Sequence, residues 1–215
     1  MPKEQKFKQQ HMRARIAAVA ARIMAEDGIE DFATAKRKAA RQLGASDTHS
    51  LPNNDEIEAE LRVYQSLYQG AEQRERVHYL RSQALAAMEQ LADFKPYLTG
   101  PVLKGTAGRY ADIDLQVFAD SGKDLEIFLL NRNIPYQTSE SRHYSGKQER
   151  TVSVLSMDWE GTPVRLTVYW PGDERGSVKT SPLGRPLERA GLDAVRTLLL
   201  LAVTGAAESG EAAKT

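Results

Sequence analysis

Two carboxylates one residue apart are the feature of this chain best suited to chemistry. Asp112 and Asp114 stand at the start of an otherwise largely apolar run that ends at Phe118. Side chains of a β-strand alternate between its two faces, so a strand here places both acids on the same face. Neighbouring carboxylates repel each other unless a cation lies between them, and Mg²⁺ prefers oxygen ligands. The pair therefore predicts a Mg²⁺ site with Asp112 and Asp114 as catalytic and metal-binding residues.

A turn of small residues precedes the two acids. It contains Gly105 and Thr106. Glycine lets a ligand approach the backbone closely, and exposed N–H groups bind anions. We therefore expect this turn to bind phosphate groups next to the metal.

Together, the turn and the acids resemble the signature of the DNA polymerase β-like nucleotidyltransferase superfamily, a Gly-Ser or Gly-Thr turn before Asp-x-Asp on a strand. The resemblance covers about residues 85–170. It implies Mg²⁺-dependent binding of a nucleoside triphosphate and transfer of its nucleotidyl group to an acceptor that the sequence does not identify. It also implies that Gly105 and Thr106 position the phosphates while Asp112 and Asp114 hold the metal.

Two cations flank the turn. Lys104 precedes Gly105, and Arg109 follows it by a few residues. Positive charge here would offset the charge that develops on a leaving pyrophosphate, so both are candidate cofactor-binding residues. They are equally consistent with ordinary solvent-facing charges.

The third acid of the resembled family is missing from its expected place. Catalytic members usually carry it on a later strand, here predicted at residues 162–170, where alternation puts Arg165 on the relevant face. Asp158 and Glu149 are the nearest substitutes in sequence. Whether either reaches the metal depends on the fold.

The missing acid leaves two alternatives to an enzyme open. The first is a catalytically degenerate nucleotide-binding or regulatory module, in which Arg165 pairs with Asp112 or Asp114 and replaces the metal. Such an ion pair would exclude the usual two-metal route. The second is an RNA-binding protein that uses the basic face of a helix, formed by Lys36, Arg37, Lys38 and Arg41.

Hydrophobic periodicity predicts the elements that position these residues. The first half of the chain has helical spacing, and the composition shifts to β-branched and aromatic residues after Pro101. We predict helices over residues 12–25, 32–43, 57–68, 70–94, 123–131 and 187–203, and strands over residues 114–118, 150–159 and 163–170. The expected fold class is α+β, an N-terminal helical region followed by a small mixed β-sheet backed by helices. The expected domains are a helical accessory region at 1–70, a nucleotidyltransferase-like domain at 71–206 and a disordered tail at 207–215.

Composition and charge limit which kinds of partner and metal site this chain can have. The 215 residues contain 29 basic and 29 acidic side chains, so no whole-molecule field attracts nucleic acid. The chain has no cysteine, and its four histidines lack metal-ligand spacing. The start does not resemble a signal peptide, and no apolar run is long enough to span a bilayer. A cytoplasmic protein without membrane contact is the expectation.

Overall fold

The computed structural model describes residues 2–45, 51–145, 148–176, 178–179 and 186–212. It divides the chain into two compact units. Unit 1 comprises Met1–Arg76 and Thr106–Ala111, and unit 2 comprises Val77–Gly105 and Asp112–Thr215. The fold is mixed α+β, with seven α-helices and one open seven-stranded mixed sheet within the described residues, so the predicted fold class is confirmed.

Unit 1 is helical. It contains α1 (Pro2–Asp27), α2 (Phe32–Gln42), α3 (Asn54–Tyr68) and the first residues of α4 (Gly70–Gln90). Its core consists of apolar side chains from the first three helices, among them Ile16, Ala20, Ala39, Ile57 and Leu61. These are the apolar stripes that the helical spacing predicts.

Short polar side chains begin two of these helices. Asp31 accepts a hydrogen bond from the backbone N–H of Thr34 at 2.6 Å, and Asn53 accepts one from the backbone N–H of Glu56 at 2.8 Å. The Glu56 carboxylate accepts in return from the Asn53 N–H, which completes a capping box, and it also forms an ion pair with Arg13 at 2.7 Å. These caps satisfy backbone donors that the first turn of a helix leaves unpaired.

Unit 2 contains the sheet. Its strands are β1 (Tyr97–Thr99), β2 (Ile113–Phe118), β3 (Tyr136–Ser145), β4 (Gln148–Trp159), β5 (Thr162–Tyr169), β6 (Val178–Lys179) and β7 (Arg189–Ala190). The order across the sheet is β6-β3-β4-β5-β2-β1-β7. Strands β2 and β5 run parallel, and every other described pair is antiparallel. Because β2 and β5 are parallel and in register, residues paired across them, such as Asp114 and Arg165, lie on the same face.

The helices of unit 2 are the remainder of α4, then α5 (Gly100–Lys104), α6 (Gly122–Asn131) and α7 (Leu192–Ala212), with 3₁₀ turns at Ala92–Phe94 and Pro171–Arg175. Most buried apolar residues come from one face of the sheet and from these helices, among them Ile113, Leu115, Leu166, Leu80, Leu129 and Val195. A smaller buried cluster of Phe118, Tyr169 and Val178 lies on the opposite face. Apolar residues alternate along β2 and β5, so the opposite face of both strands is largely polar.

The hairpin predicted from residues 150–159 and 163–170 is present as β4 and β5, and Glu160 and Gly161 form its turn with positive φ values of 50° and 83°. Strand β3 was not predicted, because residues 137–140 are polar and exposed and show no apolar alternation. Helix α7 continues to Ala212, into the segment predicted as a disordered tail, and residues 213–215 of that tail lie outside the described residues. No helix in the described part of the chain is long and apolar enough to cross a membrane.

Candidate functional site

The polar face of the sheet in unit 2 brings together the second acid and Arg165. Asp114 on β2 is opposite Arg165 on β5, and Gln116 is opposite Thr167. The strands are parallel and in register, so these four side chains lie on one face, about 4.8 Å apart across the strands. Arg165 therefore occupies the position on β5 where a third acid was expected from the sequence.

Arg165 forms an ion pair with both carboxylates. Its Nε donates to Oδ1 of Asp114 at 2.8 Å and lies 3.5 Å from Oδ2 of Asp112. Burial raises the pKa of the Asp114 carboxyl above its ordinary value; Arg165 opposes this shift and Asp112 adds to it. The guanidinium thus supplies the positive charge that two adjacent carboxylates require.

Gly100 is a site residue that the sequence interpretation overlooked. Its φ is +67°, and a Cβ built on it would lie 2.7 Å from Oδ2 of Asp114. The preceding Thr99 pairs with Asp114 in the antiparallel register of β1 and β2, and its hydroxyl donates to the Asp114 carbonyl at 3.3 Å. A residue other than glycine would displace the carboxylate. The signal in the sequence was a Thr-Gly-Pro break directly after a short apolar segment.

The predicted phosphate glycine, Gly105, ends helix α5. It adopts a left-handed conformation with φ +78°, as residues that close a helix often do. Arg81 donates to the last carbonyls of this helix, from Nε to Val102 at 3.1 Å and from Nη2 to Leu103 at 2.7 Å. Lys104 is the final residue of α5. These contacts give Gly105 a structural role in ending the helix.

Thr106 of the predicted phosphate turn and the flanking Arg109 belong to unit 1. Thr106 is buried, and its carbonyl accepts from Nε2 of Gln65 at 3.3 Å. Arg109 is exposed, and its carbonyl accepts from Nη2 of Arg76 at 2.9 Å. Both hydrogen bonds lie within unit 1 and involve backbone oxygens rather than the hydroxyl of Thr106 or the guanidinium of Arg109.

A cavity of about 570 Å³ lies on the polar face of the sheet. Its volume falls within the range of small-molecule sites. The described lining consists mainly of hydroxyl-bearing and other polar side chains from five adjacent strands, with Gly100 at the start of α5 and Leu187: Thr99, Gly100, Asp114, Gln116, Ser139, Glu140, Ser141, His143, Val154, Ser156, Arg165, Thr167, Tyr169 and Leu187. Sequence alternation alone did not locate this cavity, because four of its fourteen described lining residues lie on the unpredicted strand β3.

The ring side chains of His143 and Tyr169 both line the cavity. The hydroxyl of Tyr169 and Nδ1 of His143 lie within hydrogen-bond distance at 2.6 Å. Burial lowers the pKa of His143 and, with a smaller contribution from Asp173, raises that of Tyr169. Both shifts favour a neutral pair, in which Tyr169 donates its proton to an unprotonated Nδ1.

Neither candidate for the third acid is positioned beside Asp114. Asp158 accepts from the Gly161 N–H at 2.7 Å and so stabilises the turn of the β4–β5 hairpin, and β5 separates its strand from β2. Glu149 accepts from the hydroxyl of Tyr144 at 3.1 Å, about 23 Å along β4 from the level of Arg165 at ~3.3 Å per residue. Each carboxylate has a local structural role.

The donor set does not fit the predicted Mg²⁺. The two carboxylates expected to hold it are engaged by a guanidinium, which would repel a divalent cation placed between them. Among the described residues, no group of three or more Asp, Glu, His or Cys side chains is arranged to hold a metal ion. The described residues of this site therefore do not support a chemical step through a metal.

The basic face predicted to contact nucleic acid lies on α2, and three of its cations have partners within unit 1. Lys36 donates to Oδ1 of Asn54 at 2.7 Å, and Arg37 donates to the hydroxyl of Thr34 at 3.1 Å. Lys38 forms an ion pair with Asp27 at 2.7 Å. These contacts are those of an ordinary solvated helix surface.

Comparison with family models, with curated proteins and with solved structures found no match to this chain.

Proposed function

We propose that this protein is a catalytically degenerate nucleotidyltransferase-like module that binds a nucleoside or nucleotide on the polar face of its sheet without a divalent metal. The nucleotidyltransferase resemblance rests on the Asp-x-Asp strand. The absence of transfer chemistry follows from Arg165, and the ligand site is the cavity above β2 to β5.

One observation carries the proposal, the ion pair between Arg165 and Asp114. Metal-dependent nucleotidyl transfer needs carboxylates that are available to a cation bridged to the phosphates. Here a covalently attached cation takes that position. The positive charge is permanent, because guanidinium stays protonated throughout the accessible pH range.

The cavity supports ligand binding by the same residues. Its described walls combine hydroxyl, amide and imidazole groups with the apolar side chains of Val154 and Leu187. Groups of this kind orient a polar molecule by hydrogen bonds. A ligand with many donors and acceptors, such as a nucleoside, matches that chemistry.

Calorimetric titration tests the proposal. Each nucleoside and each of its mono- and triphosphates is titrated into the full chain with Mg²⁺ and, separately, with a chelator. We expect at least one of them to bind with the same Kd under both conditions, and no Mg²⁺-dependent release of pyrophosphate from any triphosphate. Binding that requires Mg²⁺, or metal-dependent pyrophosphate release, would contradict degeneracy, and no binding at all would contradict the ligand class.

Arg165→Met provides the matched variant. It keeps an unbranched stem and removes the cation, so Asp112 and Asp114 lose their partner. If Arg165 replaces the metal, this variant should become responsive to Mg²⁺ where the parent is not. A cytoplasmic location and nucleic-acid contact through α2 stay predictions, and no contact described above favours the latter.

A further inference from the structure

Gln116 is the most unusual polar side chain of the cavity wall. It is 3% exposed, and neither Nε2 nor Oε1 of its amide has a hydrogen-bond partner among the described residues. An amide buried without a partner destabilises the fold. Strand β2 places Gln116 on the same face as Asp114, the face that bounds the cavity.

The charges around the cavity limit what it can hold. The described lining contains two acids, Asp114 and Glu140, and one permanent cation, Arg165, which already pairs with Asp114 and Asp112. His143 faces the hydroxyl of Tyr169, and burial favours its neutral form. The described lining therefore carries no surplus positive charge, and a phosphate group placed beside Asp114 would meet a carboxylate.

We propose that the cavity takes the uncharged part of the ligand, a nucleobase with its sugar, and that the Gln116 amide pairs with the base. This inference rests on the proposed function and specifies which portion of the ligand the cavity selects. A carboxamide presents one acceptor and one donor side by side, which matches the adjacent donor and acceptor on the edge of a nucleobase. Ligand binding then satisfies both amide atoms that the free protein leaves unpaired.

Hydroxyl groups provide the complementary contacts for the sugar. Thr99, Ser139, Ser141, Ser156 and Thr167 all line the cavity, and their hydroxyls can donate or accept. The phosphates of a nucleotide would lie outside the cavity or be absent. The ligand class that fits best is therefore an unphosphorylated nucleoside.

Binding of adenosine, guanosine, cytidine and uridine, with their 5′-mono- and triphosphates, tests this inference. The titrations use the full chain in the presence of a chelator. We expect one nucleoside to bind at least as tightly as its own triphosphate. We expect Gln116→Met to weaken that nucleoside by about tenfold or more, because the base loses two neutral hydrogen bonds.

Gln83→Met is the matched control. Gln83 on α4 also has a buried amide oxygen without a partner among the described residues, but it does not line the cavity. This variant should bind the nucleoside with unchanged affinity. Gln116→Met should also melt at the same or a higher temperature without ligand, since it removes an unpaired buried amide; a merely damaging substitution would lower both stability and affinity.

The outcomes separate the two proposals. A triphosphate that binds more tightly than its nucleoside, or a Gln116→Met variant with unchanged nucleoside affinity, would overturn this inference and leave the proposed function standing. Binding of none of the twelve compounds would overturn the proposed function and this inference with it. If Gln116→Met does not fold, Gln116→Glu serves instead, since it keeps the shape, lacks the amide donor and should weaken the nucleoside similarly.

Discussion

Arg165 is directly opposite Asp114 on the adjacent parallel strand, and its Nε donates to the Asp114 carboxylate at 2.8 Å. The two residues are 51 positions apart in the chain. A parallel pair needs a long connection, so this contact exists only because α6 and the β3–β4 hairpin intervene and return the chain to β2. The cation is thus built into the sheet beside the acid that a metal would otherwise bind.

Asp114→Asn should leave the melting temperature equal or raise it by about 2–4 °C, the shift expected for roughly 1 kcal/mol in a protein of this size. The reason is that burial raises the pKa of Asp114 even though Arg165 opposes the shift. The folded state therefore disfavours the charged carboxyl relative to the unfolded state, and asparagine removes that charge.

The sign of the pH dependence checks this explanation. A carboxyl whose folded pKa exceeds its ordinary value of 3.8 stabilises the folded state fully below that value and loses this contribution as pH rises through the folded pKa. The difference in urea-derived stability between Asp114→Asn and the parent should therefore grow as pH rises. A clear loss of stability in the variant at neutral pH would show that the ion pair outweighs the burial cost.

His143 predicts a second pH dependence of opposite sign. Burial lowers its pKa below the ordinary 6.5, so the folded state favours neutral imidazole. The resulting stability is present above pH 6.5 and is lost as pH falls through the folded pKa. His143→Asn should flatten the stability profile over this range, measured by urea unfolding at a series of pH values. An equally steep profile in the variant would assign the dependence to other groups.

Much of the site follows from local pattern, because alternation along a strand is a local property. Alternation was sufficient to place Asp112 and Asp114 on one face, whereas the possibility of their ion pair with Arg165 came from the nucleotidyltransferase resemblance. The hairpin of β4 and β5 was also predictable from its alternation and its Glu-Gly turn. These features need only the backbone geometry of a few consecutive residues.

Features that depend on pairing between strands distant in the chain could not be predicted from the sequence. Strand β3 carries polar residues where one edge of the sheet is exposed, so nothing in its composition marks it as a strand. Gly100 faces Asp114 only because β1 pairs with β2. Gly105, which the sequence indicated as the phosphate-binding glycine, ends a short helix instead. The cavity is formed by several strands, so the residue pattern of any single strand could not predict it.

Asn53→Ala should destabilise unit 1 by about 1 kcal/mol, since Asn53 is the N-cap of α3 and completes a capping box with Glu56. Hydrogen exchange at the first amides of α3 measures this locally. Asn54→Ala is the matched control, because the adjacent asparagine accepts only an exposed hydrogen bond from Lys36. Equal protection of these amides in both variants would argue against the cap. In a separate test, rapid proteolysis throughout residues 2–45 of the parent would argue against a folded helical unit.

Asp158→Asn and Glu149→Gln should leave nucleoside or nucleotide affinity unchanged. Both acids have local partners, the Gly161 N–H and the Tyr144 hydroxyl, and neither lines the cavity. Asp158→Asn should cost little stability, since an amide oxygen can still accept the turn hydrogen bond. A tenfold or larger loss of binding or of any transfer activity in either variant, about 1.4 kcal/mol, would restore it as a candidate third acid.

Arg165→Asp tests whether the site is a degenerate form of a metal site. The new carboxylate would be opposite Asp114 at a strand spacing of about 4.8 Å, close enough for both to bind one ion directly. Without metal, three neighbouring acids repel one another, so the variant should melt below the parent. Mg²⁺ or Mn²⁺ should then raise its melting temperature while leaving that of the parent unchanged. Arg165→Asn, which removes the cation without adding a third carboxylate, is the control, and Mg²⁺ should raise its melting temperature less than that of Arg165→Asp. Metal-dependent pyrophosphate release by Arg165→Asp alone would identify Arg165 as the replacement of a catalytic acid. A folded variant that binds no metal would count against Arg165 as the vacant catalytic position.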